Sequence, residues 1–205
     1  MSEYRTGLGW DVHRLAPNRP LILGGVSIPS EFGLEGHSDA DILAHAVTDA
    51  ILGAAALGDI GMHFPDTDPR WKDADSLVFL KHALELGRGA GFELVNVDAT
   101  IILERPKLKD HRTVIREKLA AALGLTLDRV SVKFKTAEKV GPVGEGKSAE
   151  AQAVVTMKRD CSGIPAHTII IGGARSAHCP WISSRASRLS SWARHEAALR
   201  CCGTC

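Results

Sequence analysis

The spacing of apolar and polar residues changes period several times along the chain. Period-two alternation predicts strands, and apolar residues that recur every three or four positions predict helices. Strands are predicted over "TGLGWDVHRL", "ELVNVDATIIL", "RVSVKFKTA" and "AEAQAVVTM", with a Gly-Gly hairpin or bulge inside "PLILGGVSIP". Helices are predicted over the stripe from Ile42 to Ala54, over "ADSLVFLKHALELGRGAGF" and over "KDHRTVIREKLAAALGL".

The order of these elements is strand, hairpin, helix, helix, strand, helix, strand, strand. This order predicts an α+β fold, in which helices pack on one face of a mixed β-sheet to give a two-layer sandwich. A doubly wound parallel sheet is not favoured. The sequence has no GxGxxG or GxxxxGK[ST] phosphate loop, so any nucleotide must be bound by other means.

The ends of the first helix are predicted from capping residues and glycines. Ser38, followed three residues later by Asp41, is a plausible start. Gly58 and Gly61 are expected to end the helix. The next segment, "MHFPDTDPRWKD", has two prolines and no apolar period, and we expect it to form a loop.

The composition is that of an ordinary water-soluble globular protein. Of the 205 residues, 44% are hydrophobic and 24% are charged, and the net charge is +1. This charge calls for neither a nucleic-acid nor a membrane partner, and no apolar run approaches the roughly 18 residues of a membrane span. The first residues lack the pattern of a signal peptide, so a cytoplasmic protein is expected.

The character of the sequence changes near Arg159. All five cysteines and five arginines, but no lysine, lie in residues 160–205, which are also rich in serine. The final "CCGTC" lacks the second CxxC or histidine pair of a zinc finger. We therefore expect one domain over residues 1–158, followed by an atypical tail over residues 159–205 that is poorly ordered.

Two polar residues in the first strand stand at alternate positions. An extended backbone directs Asp11 and His13 to one side, and Trp10 and Val12 to the other. Two polar side chains that converge in this way could bind one metal ion. They could equally form a simple hydrogen bond with each other.

A third polar residue interrupts the small, apolar surface of the first helix. A lone helical histidine such as His45 is more often structural than a metal ligand. However, Asp49 lies four residues further on, where its carboxylate could orient the imidazole ring. Together with Asp11 and His13, His45 would complete a set that suits Zn²⁺ with a fourth position open to substrate.

Other polar residues could meet a phosphorylated ligand, although each also has a purely structural explanation. His37 and Ser38 lie where the first helix is expected to begin, and free amides at a helix N-terminus attract phosphate. The acids between Asp59 and Asp68 could contact sugar hydroxyls or a metal. Glu138 could bridge a divalent cation to phosphate oxygens. Further candidates near strand ends are Lys107, Lys109, Lys135, Thr136 and Lys139.

Several long segments, in this order, resemble one family. The segments "DVH", "GGVSIP", "HSDADILAHAVTDAILGAAALGDIGMHFPDTDP", "NVDATIILERPKL" and "KTAEKVG" are similar to the 2-C-methyl-D-erythritol 2,4-cyclodiphosphate synthase family of the non-mevalonate isoprenoid pathway. The similarity runs from about Thr6 to Lys158. It implies a phosphorus-oxygen lyase that converts 4-diphosphocytidyl-2-C-methyl-D-erythritol 2-phosphate into the cyclic diphosphate and releases CMP.

The resemblance also implies an assembly, cofactors and site residues. It implies a homotrimer whose active sites lie between subunits, Zn²⁺ bound by Asp11, His13 and His45, and Mg²⁺ or Mn²⁺ bridging the substrate diphosphate. The implied catalytic residues are His37, Thr136 and Glu138. The implied substrate contacts are Asp11, Val12, His13, His37, Ser38, Asp59, Ile60, Gly61, Phe64, Pro65, Asp66, Thr67, Asp68, Leu103, Pro106, Lys107, Leu108, Lys109, Lys135, Thr136, Ala137 and Glu138.

One turn departs from the family's pattern. Where many members have an aromatic residue and a Gly-Arg-Gly-Glu-Gly run, this chain has Pro142 and no arginine in "EKVGPVGEGKSAEA". In the family this region lines a channel that holds an isoprenoid diphosphate, and only Lys147 is available here in place of the arginine. A second hypothesis, a zinc or isoprenoid-diphosphate binding protein without turnover, would require the metal ligands but neither Thr136 nor Glu138.

Overall fold

The computed structural model describes residues 1–161, which form a mixed sheet with helices. The strands are β1 (Ser2–Pro17), β2 (Leu21–Leu23), β3 (Val26–Ile28), β4 (Phe32–Leu34), β5 (Glu93–Ile102), β6 (Val130–Lys135) and β7 (Ser148–Asp160). The helices are α1 (Ile42–Ala54), α2 (Ile60–His63), α3 (Ser76–Gly89), α4 (Arg112–Leu123) and α5 (Gly141–Gly144), with short 3-10 turns at Pro69–Trp71, Lys109–His111 and Leu127–Arg129.

The five-stranded sheet has the order β4-β1-β7-β5-β6, and β2 pairs with β3 in a separate hairpin. β5 and β6 run parallel, whereas the other pairs are antiparallel, so the predicted mixed sheet and α+β class are confirmed. The strand β7 continues to Asp160, two residues beyond the predicted end of the domain. The prediction of a distinct tail falls, apart from residues 159–161, outside the described residues.

Helix α1 lies directly on the backbone of β1, because two glycines of that strand leave room for it. A Cβ atom on Gly9 would lie 1.9 Å from the carbonyl oxygen of Ala46, and one on Gly7 would lie 1.9 Å from that of Ala50. The helix presents alanines at this contact, with the four-residue spacing that keeps side chains on one face. This close approach brings His45, the neighbour of Ala46, to the strand that carries Asp11.

The start of α1 differs from the prediction. The N-cap is Asp41, whose carboxylate accepts hydrogen bonds from the amides of Leu43 and Ala44. The same carboxylate accepts the amides of Gly24 and Gly25 at 2.9 and 2.6 Å, so it ties the β2–β3 hairpin to the helix. Both glycines have positive φ, as a two-residue hairpin turn requires.

Other boundaries also differ in detail. The helix α1 ends at Ala54, before the glycines that were expected to end it. The expected loop begins inside helix α2 and contains one 3-10 turn. The "GPVGEGKS" turn contains the short helix α5, with Pro142 in its first turn. The strand β4, which pairs with the far end of β1, was not predicted. None of the helices in residues 1–161 is long and apolar enough to cross a membrane.

Candidate active site

The side chains of Asp11, His13 and His45 converge where β1 meets α1. Asp11 Oδ2 lies 3.0 Å from His13 Nε2 and 2.9 Å from His45 Nδ1. One candidate ligand atom from each of the three residues lies within 4.8 Å of the other two. Such spacing allows all three to share one coordination sphere with bonds of about 2 Å. The prediction that the strand pair and the helical histidine converge is confirmed, and the resulting group could hold a metal ion.

The cluster is partly shielded from solvent, and its electrostatics follow from that shielding. Burial acts to raise the pKa of Asp11, but hydrogen bonds from His13 and His45 outweigh it and hold that pKa well below its ordinary value. For His13, burial acts to lower the pKa, but the adjacent Asp11 carboxylate raises it overall. The carboxylate is therefore ionised at neutral pH and available as a metal ligand.

The outer nitrogens of both imidazoles have their own partners. His13 Nδ1 contacts the carbonyl oxygen of Glu35, and His45 Nε2 lies 2.8 Å from Ser76 Oγ and 3.1 Å from Ser38 Oγ. Metal-binding histidines usually have such a partner on the nitrogen that does not face the metal. A carboxylate and two imidazoles, each with one nitrogen directed inward, are a donor set that fits Zn²⁺.

The prediction that Asp49 orients the ring of His45 is wrong. The carboxylate of Asp49 accepts a hydrogen bond from the amide of Ile60 at 2.7 Å, which joins α1 to α2. The hydrogen-bonding contacts of the His45 ring go instead to Asp11, Ser38 and Ser76. Asp49 therefore lies near His45, four residues along the helix, but the two side chains are not hydrogen-bonded to each other.

Ser38 contacts His45 of the cluster and His37 contacts the acidic loop, but neither residue caps α1. His37 Nε2 lies 3.2 Å from the carbonyl oxygen of Asp68, which joins it to the acidic loop. Ser38 is buried, and its hydroxyl accepts the amide of Ala40 and contacts both His45 and Ser76. The expected role of Ser38 as a helix cap is therefore corrected, because that role belongs to Asp41.

The predicted segment from Asp59 to Asp68 is fixed at both ends and mixes buried and exposed residues between them. Asp59 caps α2 by accepting the amide of Met62, and Ile60 and Gly61 form the first turn of that helix. Phe64 is buried and stacks on Phe79, with a centroid distance of 4.5 Å. Pro65 is half-buried, and Asp66 and Thr67 are exposed.

A second group of predicted residues lies at the ends of β5 and β6. Leu103 and Leu108 are buried, while Pro106 is half-buried and Lys107 and Lys109 are exposed between and beside them. The amide of Leu103 donates to the carbonyl oxygen of Lys135, so the two predicted segments are joined.

A tight turn follows β6. Thr136 Oγ1 donates a hydrogen bond to Glu138, and the amide of Val140 donates to the carbonyl oxygen of Ala137. Glu138 and Lys139 both have positive φ and are exposed. The turn therefore presents the Glu138 carboxylate to solvent.

These two groups are separated within one chain. We call the residues around Asp11, His13, His37, Ser38, His45 and 59–68 the metal half, and residues 103–109 with 135–138 the turn half. Across the sheet Asp11 pairs with Ala151, which pairs with Ile101, which pairs with Phe134. Strands lie about 4.8 Å apart, so about 14 Å separates the two halves at this level. Val12, the remaining predicted contact, faces the opposite side of the sheet and is 40% exposed.

Sequence reasoning missed Asp39 and Ser76. Ser76 is fully buried at the first turn of α3, where Asp75 caps the helix through the amide of Leu77. The pair "DS" before an apolar stripe indicates only a helix start. The contact with His45 depends on how α3 packs against α1, and no local pattern reports it.

Comparisons with known proteins agree with this geometry. The model of the YgbB family matches residues 4–158. A 2-C-methyl-D-erythritol 2,4-cyclodiphosphate synthase from Solibacter usitatus is 75% identical over 159 residues, which cover 78% of this chain and 100% of the relative.

Solved structures give the same result. A 2C-methyl-D-erythritol-2,4-cyclodiphosphate synthase in a CDP-bound form aligns with a TM-score of 0.70 and 44% identity, over 75% of this chain and 99% of that one. The bifunctional IspDF from Campylobacter jejuni aligns with a TM-score of 0.75 and 45% identity, over 78% of this chain but only 43% of that one. The resemblance found in the sequence is therefore confirmed, and the chain belongs to the YgbB family, together with the 2-C-methyl-D-erythritol 2,4-cyclodiphosphate synthases.

Proposed function

We propose that the protein converts 4-diphosphocytidyl-2-C-methyl-D-erythritol 2-phosphate into 2-C-methyl-D-erythritol 2,4-cyclodiphosphate and CMP. The observation that carries this proposal is the convergence of Asp11, His13 and His45, in a chain 75% identical to a synthase of that name. An oxygen of the 2-phosphate forms a bond to the β-phosphorus. The bond from the β-phosphorus to the bridging oxygen breaks, and CMP leaves with the electron pair. This is phosphorus-oxygen lyase chemistry, and no water is consumed.

The protein's part in this reaction is to position the substrate and to neutralise charge. Asp11, His13 and His45 would hold Zn²⁺, which when bound supplies a Lewis acid for phosphoryl oxygens. Glu138 would hold Mg²⁺ or Mn²⁺ at the diphosphate. Both phosphate groups come from the substrate, so the reaction requires no nucleophile from the protein.

The described residues supply the remaining contacts. The imidazole of His37 contacts the loop at the Asp68 carbonyl oxygen, and we assign it to steady a phosphate of the substrate. Thr136 is held beside Glu138 by its hydrogen bond, and we assign its hydroxyl to the same diphosphate. We assign Asp59 to the ribose, the exposed residues of 64–68 to the methylerythritol unit, and residues 103–109 to cytosine.

The separation of the two halves supports a site shared between copies of the chain. A distance of about 14 Å across the sheet is too long for Glu138 and the metal cluster of one chain to grip the same diphosphate. A neighbouring copy would bring its turn half to this chain's metal half. In a closed ring each copy gives one half and receives the other, and we propose that the ring is a homotrimer.

The outer face of the sheet supports the same proposal. Tyr4, Leu8, Trp10 and Val12 alternate along β1 and are 40–69% exposed, and Val154 lies opposite Leu8 on β7. Monomeric proteins rarely leave so many large apolar side chains together in water. We propose that this face of a two-layer subunit packs at the centre of the trimer.

The direct test is turnover of the diphosphocytidyl substrate with Zn²⁺ and Mg²⁺ present. We expect equimolar CMP, measured by chromatography, and cyclic diphosphate, measured by ³¹P NMR. Elemental analysis should find about one zinc per subunit. His45→Ala should lose zinc and lower the rate by more than about 100-fold, since a ligand counts for more than an outer partner.

The matched control is His82→Gln, which replaces a half-exposed histidine of α3 that lies outside the metal cluster. It should keep both zinc and turnover. A zinc-replete, folded wild-type protein that releases no CMP would contradict the proposed function.

A further inference from the structure

A chain of hydrogen bonds leads from the metal cluster into the protein interior. His45 Nδ1 faces Asp11, and His45 Nε2 lies 2.8 Å from Ser76 Oγ. The Ser76 hydroxyl is hydrogen-bonded in turn to the Asp39 carboxylate. Ser76 has no solvent-accessible surface, so water cannot replace either of its partners.

The Asp39 carboxylate determines which group donates in each of these hydrogen bonds. A carboxylate such as that of Asp39 can only accept hydrogen bonds, and it also accepts the amides of Ser76 and Asp41. The Ser76 hydroxyl must therefore donate to Asp39, and its single proton is then committed. Ser76 Oγ can offer only lone pairs to the imidazole, so the short contact is a hydrogen bond only if His45 Nε2 carries a proton.

The contacts of Ser38 are consistent with this assignment of donors and acceptors. Ser38 Oγ accepts the amide of Ala40 at 3.2 Å and lies 3.2 Å from Ser76 Oγ and 3.1 Å from His45 Nε2. Its hydroxyl proton can be donated to the second lone pair of Ser76, while its own lone pairs face the imidazole N–H. Every donor in this group of side chains then meets an acceptor.

We infer that Ser76, oriented by Asp39, is a positioning residue that keeps a proton on His45 Nε2 and leaves the Nδ1 lone pair directed at the metal site. Asp11 can accept a hydrogen bond from His45 only if Nδ1 is protonated, so a bound metal ion displaces the Nδ1 proton while the Ser76 contact retains the proton on Nε2. This inference rests on the proposed function, and it identifies the residue that orients the His45 ligand.

Backbone hydrogen bonds hold Asp39 and Ser76 in these positions. The amide of Asp39 donates to the carbonyl oxygen of Ala74 at 3.0 Å, and the amide of Asp73 donates to that of His37 at 2.8 Å. The loop that carries Asp39 is thus fastened to the segment that leads into α3. Ser76 is therefore held by its own helix and by the opposing loop, on the side of His45 away from Asp11.

The test is metal affinity, which does not depend on turnover. We expect Ser76→Ala to weaken Zn²⁺ and Co²⁺ binding, measured by competition with a chromophoric chelator, by about 10–100-fold. Ser76→Thr restores a hydroxyl and should recover most of the affinity. Thr48→Ala is the matched control, because Thr48 is also buried, and its hydroxyl donates to the Ala44 carbonyl without contacting His45. It should lower thermal stability but leave affinity within about threefold.

A second measurement reads the proton directly. In ¹⁵N-histidine-labelled wild-type protein, His45 Nε2 should show a directly bonded proton with metal bound, and Ser76→Ala should change the Nε2 shift. An unprotonated Nε2, or unchanged metal affinity in folded Ser76→Ala, would overturn this inference alone. Tight, Ser76-dependent metal binding without CMP release would overturn only the proposed function. If Ser76→Ala does not fold, the wild-type spectrum and Ser76→Thr still decide.

Discussion

The metal half and the turn half are built in opposite ways. The metal half is assembled inside one chain: its three ligand side chains are only 12–26% exposed, and the outer nitrogens of its two histidines already have hydrogen-bonding partners. The turn half ends in Glu138, which is exposed on a turn and has one side-chain partner, Thr136. A single copy can therefore pre-organise its metal ligands, whereas its Glu138 carboxylate stays exposed, as the proposed site between copies requires.

The largest effect should come from breaking the metal half at its backbone. Gly9→Ala would place a Cβ atom 1.9 Å from the Ala46 carbonyl oxygen, so α1 must move away from β1 and carry His45 with it. We expect metal binding and turnover to be lost, and the free energy of unfolding to fall by about 3 kcal/mol. Urea unfolding and chelator competition measure the two effects.

Its control is Gly53→Ala in the same helix, where an added Cβ atom would meet no other atom within 4 Å. This substitution should leave metal affinity unchanged and raise stability by about 0.5–1 kcal/mol, because alanine favours a helix more than glycine does. Equal behaviour of the two alanine variants would show that close packing at Gly9 does not position His45.

A smaller effect, but a sharper test of the comparison, comes from mixing two inactive variants. His45→Ala lacks a working metal half, and Glu138→Gln lacks a working turn half. In randomly mixed trimers about one quarter of the sites would take both intact halves from different copies. We expect CMP release to recover to about that fraction of the wild-type rate, with native mass spectrometry to verify mixing. Mixed trimers as inactive as either parent would mean that the site does not lie between subunits.

The smallest effect concerns the protein without metal. The pKa of His13 is raised above 6.5 in the folded state, so the stability it contributes is fully present below pH 6.5 and is lost as the pH rises through the folded pKa. The free energy of unfolding in the presence of a chelator should therefore fall as the pH rises above 6.5. Urea titrations check this, and His13→Gln should flatten the slope. Added zinc should reverse the trend, because it binds the neutral imidazole.

Much of the metal half could be predicted from the sequence, because its key spacing is local. The alternate positions of Asp11 and His13 follow from the geometry of any strand, and the apolar stripe places His45 on a helix. The turn half was harder to predict, because no local sequence pattern shows that β6 lies three strands away from β1. Only the sheet order shows that the two halves of one chain are separated.

Competing local signals explain the errors. Ser38 and Asp41 are both good helix caps, and the choice is made by the amides of Gly24 and Gly25, which come from a distant hairpin. Helical spacing likewise indicated Asp49 as the residue that orients His45, whereas Ser76, which makes the contact, was missed. In each case the decisive partner belongs to another element, and its position depends on packing.

Alternate residues of β1 face the metal cluster and the apolar outer face, so the register of β1 against β7 affects both surfaces. A slip of one residue against β7 would turn Asp11 and His13 outward and drive Trp10 inward against α1. Such a slip would spoil the ion-binding cluster and the apolar outer face in the same event. A misaligned chain would therefore lose both its metal cluster and the apolar face proposed for assembly. Assembled protein should then contain few chains with a partly formed site.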